Sequence, residues 1–136
     1  MSVNGRKVEG LLADIISEKY PKYFIHRFTE TRYTPTPADM LVVTKKYNIL
    51  IEVKATSSKH IKRSNIRKHQ IERMQAWNAL KSENKSLLAL YWEPTKTFAL
   101  VPLEALENLP SAITQAKAKQ HGERKLLIKV SKWKGE

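Results

Sequence analysis

Apolar residues return along this chain in two rhythms. Val8, Leu11, Leu12, Ile15 and Ile16 recur at helical spacing and Pro21 forces an end, so residues 4–19 read as an amphipathic helix. Residues 23–29 have the make-up of a strand. Thr34-Pro35-Thr36-Pro37 is a stiff extended approach, because each proline disfavours helix at the residue before it. Two short apolar runs follow, residues 39–43 and 48–54, joined by the polar residues 44–47. Their length and branched side chains predict the two strands of a hairpin. Residues 56–65 are charged and poor in apolar side chains, which predicts a basic loop. A second helix is predicted over 66–81, two further strands over 87–92 and 97–101 with Pro94 in their turn, short helices over 103–109 and 111–119, and a last strand over 124–130. Helix, strands, helix, strands describes an α/β or α+β domain with a mixed sheet. No repeat, low-complexity tract or linker divides the chain, so residues 1–136 are expected to form one domain, long enough for one core.

Charge changes this picture more than composition does. The apolar fraction of 41% is ordinary enough for a folded domain, and cysteine is absent, which removes disulfides and thiolate metal sites. No apolar run approaches the ~20 residues of a membrane span, and no apolar block follows Arg6 and Lys7 as in a signal peptide. A soluble, cytoplasmic protein is the expectation, cell- or virus-encoded. Against that plain background, 25 Lys and Arg stand against 13 Asp and Glu, for a net charge of +12. Such a surplus points to a polyanionic partner, since each phosphate neutralised releases bound counterions. Anionic lipid is the weaker alternative, because no stretch pairs bulky aromatics with a basic face.

The candidate chemistry lies in the hairpin. Glu-x-Lys alone is commonplace, but Glu52 and Lys54 close an apolar strand, where charge is costly unless employed. Residues two apart share one strand face, so the two side chains point the same way. If residues 44–47 form the hairpin loop, Asp39 falls opposite Glu52; a slip of two residues puts it opposite Lys54. Either register gathers two carboxylates and an ammonium on one face, whereas a one-residue slip separates them. Opposed carboxylates repel unless a cation lies between them, and hard oxygen ligands suit Mg2+. The alternative is a surface ion-pair cluster at a strand end.

Other positions stand out less sharply. Glu9 borders the buried face of the first helix, as a third carboxylate or a solvated one. Gly5 shares that face, where the missing side chain would let another backbone approach. Gln70 falls inside the apolar stripe of Ile66, Met74, Trp77 and Leu80 on the second helix, and a buried amide needs partners. Arg73 falls inside it too, making the stripe imperfect. Lys59, Lys62, Arg63, Arg67 and Lys68 follow the Glu-x-Lys strand at a place suited to gripping phosphates, with Arg6, Lys7 and Arg32 as further candidates. His26, His60, His69 and His121 show no metal-ligand spacing; His60 and His69 are better suited to DNA or water.

The ordered set Glu9, Thr36-Pro37-Ala38-Asp39, Ile51-Glu52-Val53-Lys54 and Gln70 resembles the PD-(D/E)xK nuclease core of Holliday-junction resolvases of the Hjc and RecU groups. The run from Asn65 to Met74 resembles the helix after the metal strand in RecU. The resemblance covers roughly residues 5–101. It implies a restriction-endonuclease-like core, a mixed central sheet flanked by helices, acting as a homodimer on four-way DNA junctions. It also implies divalent metal, Mg2+ with Mn2+ as a substitute, held by Glu9, Asp39, Glu52 and Val53, with Lys54 in catalysis and Gln70 supporting the site. Two departures stand: Ala38 separates Pro37 from Asp39, and the arginine-rich N-terminal segment of RecU is missing, which with the compact length points nearer Hjc. The competing readings are a nuclease of the same type for another DNA structure or duplex, and a basic DNA-binding module without catalysis.

Overall fold

Residues 4–29 and 36–122 are described, in a computed structural model. Helix α1 (Gly5–Lys19) begins at Asn4, whose side-chain oxygen accepts the Lys7 N–H at 3.2 Å. After Pro21 come β1 (Phe24–Arg27), β2 (Met40–Val43) and β3 (Asn48–Thr56), then β4 (His60–Lys62), α2 (Lys68–Leu80), β5 (Asn84–Trp92), β6 (Thr97–Pro102), β7 (Ala112–Thr114) and α3 (Gln115–Gln120). The five-stranded sheet has the order β1-β2-β3-β5-β6. β1, β2 and β3 are antiparallel neighbours, β3 and β5 run parallel, and β6 returns antiparallel to β5. A parallel pair needs a crossover, and α2 belongs to it.

Alternation along the strands builds two cores. Met40, Val42, Ile49, Ile51, Leu87 and Ala89 pack against Val8, Leu12, Ile15 and Ile16 of α1. Leu50, Leu88 and Leu90 face the other way, toward Met74 of α2, Ile61, Ile66 and Leu103. The hairpin closes at residues 44–47 as expected, with the Thr44 N–H on the Tyr47 carbonyl, and Met40 pairs with Ile51. Past Met40 that register is not kept: the Asp39 N–H bonds to the Ile51 carbonyl, one residue short of Glu52, and the Asp39 side chain accepts the Val53 N–H.

The far end of α2 is anchored by polar contacts. The Trp77 indole donates to the carbonyls of Asn48 (3.2 Å) and Lys85 (3.1 Å), while Asn48 and Asn84 bond side chain to side chain at 3.0 Å. The Asn84 amide donates in turn to the Trp77 carbonyl at 2.9 Å.

Three expectations need correction. Residues 56–65 are not a bare loop: β3 runs on to Thr56, β4 pairs with β7 as a two-stranded sheet, and a 3-10 turn covers Arg63–Asn65. Residues 111–119 divide into β7 and α3, because Thr114 caps a new helix by accepting the Lys117 N–H. Gly5 has open space where a side chain would stand; the close approach is at Gly10, where a Cβ would come within 3.3 Å of an Arg27 guanidinium nitrogen. The strand expected over 124–130 lies outside the described residues. No helix among the described residues is long and apolar enough to cross a membrane.

Leu12 is fully buried where α1 meets the sheet. Leu12→Ala is expected to lower unfolding free energy by about 2–5 kcal/mol, read from urea midpoints.

Candidate active site

Asp39 sits at the entry to β2, beyond Pro37 and the buried Ala38. Its N–H bonds to the Ile51 carbonyl at 3.1 Å and its own carbonyl accepts the Phe28 N–H at 2.9 Å, so strands on both sides hold its main chain. The parity of Glu52 and Lys54 with Leu50 turns their side chains away from α1, and the Asp39 side chain reaches β3 from the entry to β2. Asp39 Oδ2 accepts the Val53 N–H at 2.8 Å. The Val53 backbone is thereby directed at the β2 edge, and its carbonyl points to that edge too.

Glu52 is the most buried acid of the group, about 5% exposed. Its Oε2 accepts from Gln70 Nε2 at 3.0 Å and lies 3.5 Å from Lys54 Nζ. Gln70 is oriented by its other end: Oε1 accepts the Arg67 N–H at 2.9 Å, capping the first turn of α2. An amide with its oxygen so engaged can present only its NH2 to Glu52. Asp39, Glu52, Lys54 and Gln70 are therefore brought together as the residue pattern requires.

Glu9 arrives from the opposite face of the sheet. Its Oε1 takes the Arg6 guanidinium at 2.8 Å and lies 3.7 Å from Arg27, which in turn donates to the Arg6 carbonyl at 2.8 Å. Among the described residues no three His, Cys, Asp or Glu side chains cluster as a metal site. The sequence reading missed Arg27. Its signal was Gly10, a glycine inside a helix, which costs about 1 kcal/mol against alanine unless something needs the space.

Burial raises the pKa of all three acids. Glu52 goes furthest, to about 7, through desolvation and then the Asp39 charge, with Lys54 opposing. Asp39 is raised by desolvation, against the Val53 N–H and the charges of Lys54 and Arg6. Glu9 is raised by desolvation and by Asp39, with Arg6 and Arg27 acting against the shift.

Of the basic candidates, Lys7, Lys59, Lys62, Arg67 and Lys68 are exposed. Arg6 is half-exposed but ion-paired to Glu9. Arg63 is part-buried and donates to the Leu109 carbonyl at 2.6 Å, which commits part of its guanidinium to the fold. Arg32 lies outside the described residues.

With Glu52 raised from 4.5 to about 7, the folded chain binds more protons than the unfolded chain between those values. Stability of the metal-free protein therefore falls as pH rises through that window, by up to roughly 3 kcal/mol. Glu52→Gln is expected to remove most of that slope and to melt higher than the parent at pH 8 in chelator, checked by melts across pH 5–8.

No curated protein matches the chain in sequence. Among solved structures, the chain is similar to Hjc of Archaeoglobus fulgidus, a Holliday junction resolvase from an archaeal hyperthermophile. The TM-score is 0.61 at 15% identity, covering 90% of this chain and 96% of that one, and the likeness shows a shared restriction-endonuclease-like fold. The sequence model of recombination protein U matches residues 15–132, a span that takes in Asp39, Glu52, Lys54 and Gln70 and leaves Glu9 outside. The structural likeness thus falls on the Hjc side of the expected pair and the sequence match on the RecU side: the chain belongs to the recombination protein U family.

Proposed function

We propose that this chain resolves four-way DNA junctions as an endonuclease, with Mg2+ held by Asp39, Glu52 and the Val53 carbonyl. The observation that carries the proposal is the meeting of Asp39, Glu52 and Lys54 on one face of the β2–β3 hairpin end, with Gln70 bonded to Glu52. The donor set fits a small hard cation. Two half-buried to buried carboxylates, both raised in pKa and each acting on the other, lack positive charge that Lys54 alone does not supply. Mg2+ takes one or two carboxylates and keeps several waters, so a third acidic ligand is not required; Mn2+ has the same oxygen preference.

When bound, the cation supplies charge to the scissile phosphodiester and acidity to an attacking water. Lys54, with its side chain about 20% exposed, stands where phosphate and water can reach it, and orients that water or neutralises developing charge. Gln70 keeps Glu52 turned toward Asp39. Glu9 feels the Asp39 charge, and its Oε1 is committed to Arg6. Lys59, Lys62, Arg67 and Lys68, with Lys7 and part of Arg6 and Arg63, bind the DNA backbone.

The same phosphodiester occurs in duplex and junction, so the chemistry alone does not choose. Two sites related by a two-fold axis do, because a junction offers equivalent strands at matching positions. The active species is accordingly a homodimer that cuts strands in pairs.

Asp39→Asn and Glu52→Gln are each expected to slow magnesium-dependent junction cleavage by about a hundredfold or more while junction binding survives. Near-normal cutting by either variant would mean that the site is elsewhere. Neutralising Lys62, Arg67 and Lys68 is expected to weaken binding to every DNA and lower the log–log salt slope by about one per lost contact. Light scattering and mapping of both products test the dimer: a strict monomer, or equal cutting of linear duplex, would sink junction selectivity.

A further inference from the structure

α2 reaches both sides of the carboxylate pair. Gln70 in its first turn holds Glu52, and one turn on, Arg73 crosses to the segment that delivers Asp39. Arg73 Nη1 donates to the Thr36 carbonyl at 2.7 Å, a part-buried bond between residues 37 apart in sequence. Arg73 lies in the apolar stripe of α2, where with Trp77, Leu80, Ala76, Pro37 and Thr36 it lines a shallow recess. A guanidinium in such a place needs an acceptor, and Thr36 provides one.

That acceptor is a telling one. Thr36 precedes a proline and so is biased to an extended backbone, and Pro37 itself has no N–H to anchor. Ala38 is buried, about 4% exposed, and Asp39 follows at once. The Asp39 main chain is itself bonded to Ile51 and Phe28, so the tie at Thr36 is a further restraint on the short segment that delivers it. The cations whose charge acts on Asp39 include Lys54 and Arg6. Arg73 acts instead through the backbone.

We propose that Arg73 is a positioning residue: by tying Thr36 to α2, it makes the helix that orients Glu52 also set where Asp39 stands. The inference rests on the nuclease reading above. Its test compares the parent with Arg73→Met, which keeps the apolar stem and loses the donor, and Arg73→Lys, which keeps a donor.

For Arg73→Met, single-turnover junction cleavage is expected to fall about 10- to 100-fold, the usual cost of a displacement near 1 Å. The Mg2+ concentration for half-maximal rate should rise, and the rise in melting temperature caused by Mg2+ should shrink. Junction affinity in chelator should stay within about twofold of the parent, and Arg73→Lys should recover most of the rate. An equally fast, folded Arg73→Met overturns the inference alone. A weakened affinity with a salt slope lowered by about one overturns it in favour of a phosphate contact. If Arg73→Met does not fold, Arg73→Gln, which stays polar but is too short to reach the Thr36 carbonyl, takes its place: a folded Arg73→Gln that cuts about tenfold or more slower with parental junction affinity upholds positioning, and one that cuts as fast as the parent overturns it. A parent that fails to cut junctions with any divalent cation overturns the nuclease reading itself.

Discussion

The register of one hairpin governs this molecule. Met40 opposite Ile51 brings Asp39, just before it, to the end of β3 that carries Glu52, and a slip of one residue would turn one strand over against the other, parting the two acids and expelling either Met40 and Val42 or Ile49 and Ile51 from their core. Because both faces of the sheet are packed, that slip is opposed from the α2 side as well, where Leu50 is buried with Leu88 and Leu90. The acidic pair is thus held in place by apolar packing. Its mutual repulsion contributes nothing to the choice of register and is overridden by it.

Holding the pair there is costly, since desolvating a carboxylate is worth several kcal/mol. Local donors offset part of this: the Val53 N–H on Asp39, and Gln70 with Lys54 on one oxygen of Glu52. Hydrogen bonds to charged groups contribute about 1.5–3 kcal/mol each, the scale of the penalty but not its whole. The upward pKa of both acids is the remainder, and the cation proposed at this pair would relieve it. A fold that breaks the rule against buried like charges at one point, and satisfies it elsewhere, makes that point the candidate for function.

What the sequence disclosed follows the same division. The hairpin, α1 and the β3–α2–β5 order were legible because each rests on local periodicity, and the Asp, Glu, Lys and Gln positions came with them. β4 and β7 were not legible: each has three residues with a single buried apolar one, Ile61 and Ile113, too short for an alternating pattern to register. Nor were the arginine contacts. Arg27 reaches Glu9 across the α1–β1 interface and Arg73 of α2 reaches Thr36, 37 residues back in the chain, pairings set by tertiary structure alone. Gly10 and the broken stripe of α2 hinted that something occupied those places without saying what.

The correction at residues 56–65 bears on function as much as on fold. A free basic loop would lose conformational entropy on binding DNA, at about 0.5–1.5 kcal/mol for each long side chain ordered and more for the backbone. Here β4 is paired with β7, the Trp92 indole holds the Lys59 carbonyl at 3.2 Å, and Arg63 is bonded to Leu109. The backbone carrying Lys59, Lys62, Arg67 and Lys68 is therefore ordered before DNA arrives. The same stretch runs without a break from β3 into α2, whose first turn supplies Gln70 to Glu52. The proposed phosphate grip and the proposed cleavage site consequently keep a fixed distance from one another. In the proposed dimer that rigidity matters, because two sites discriminate a junction from a duplex only if neither can adjust its spacing to suit the wrong substrate.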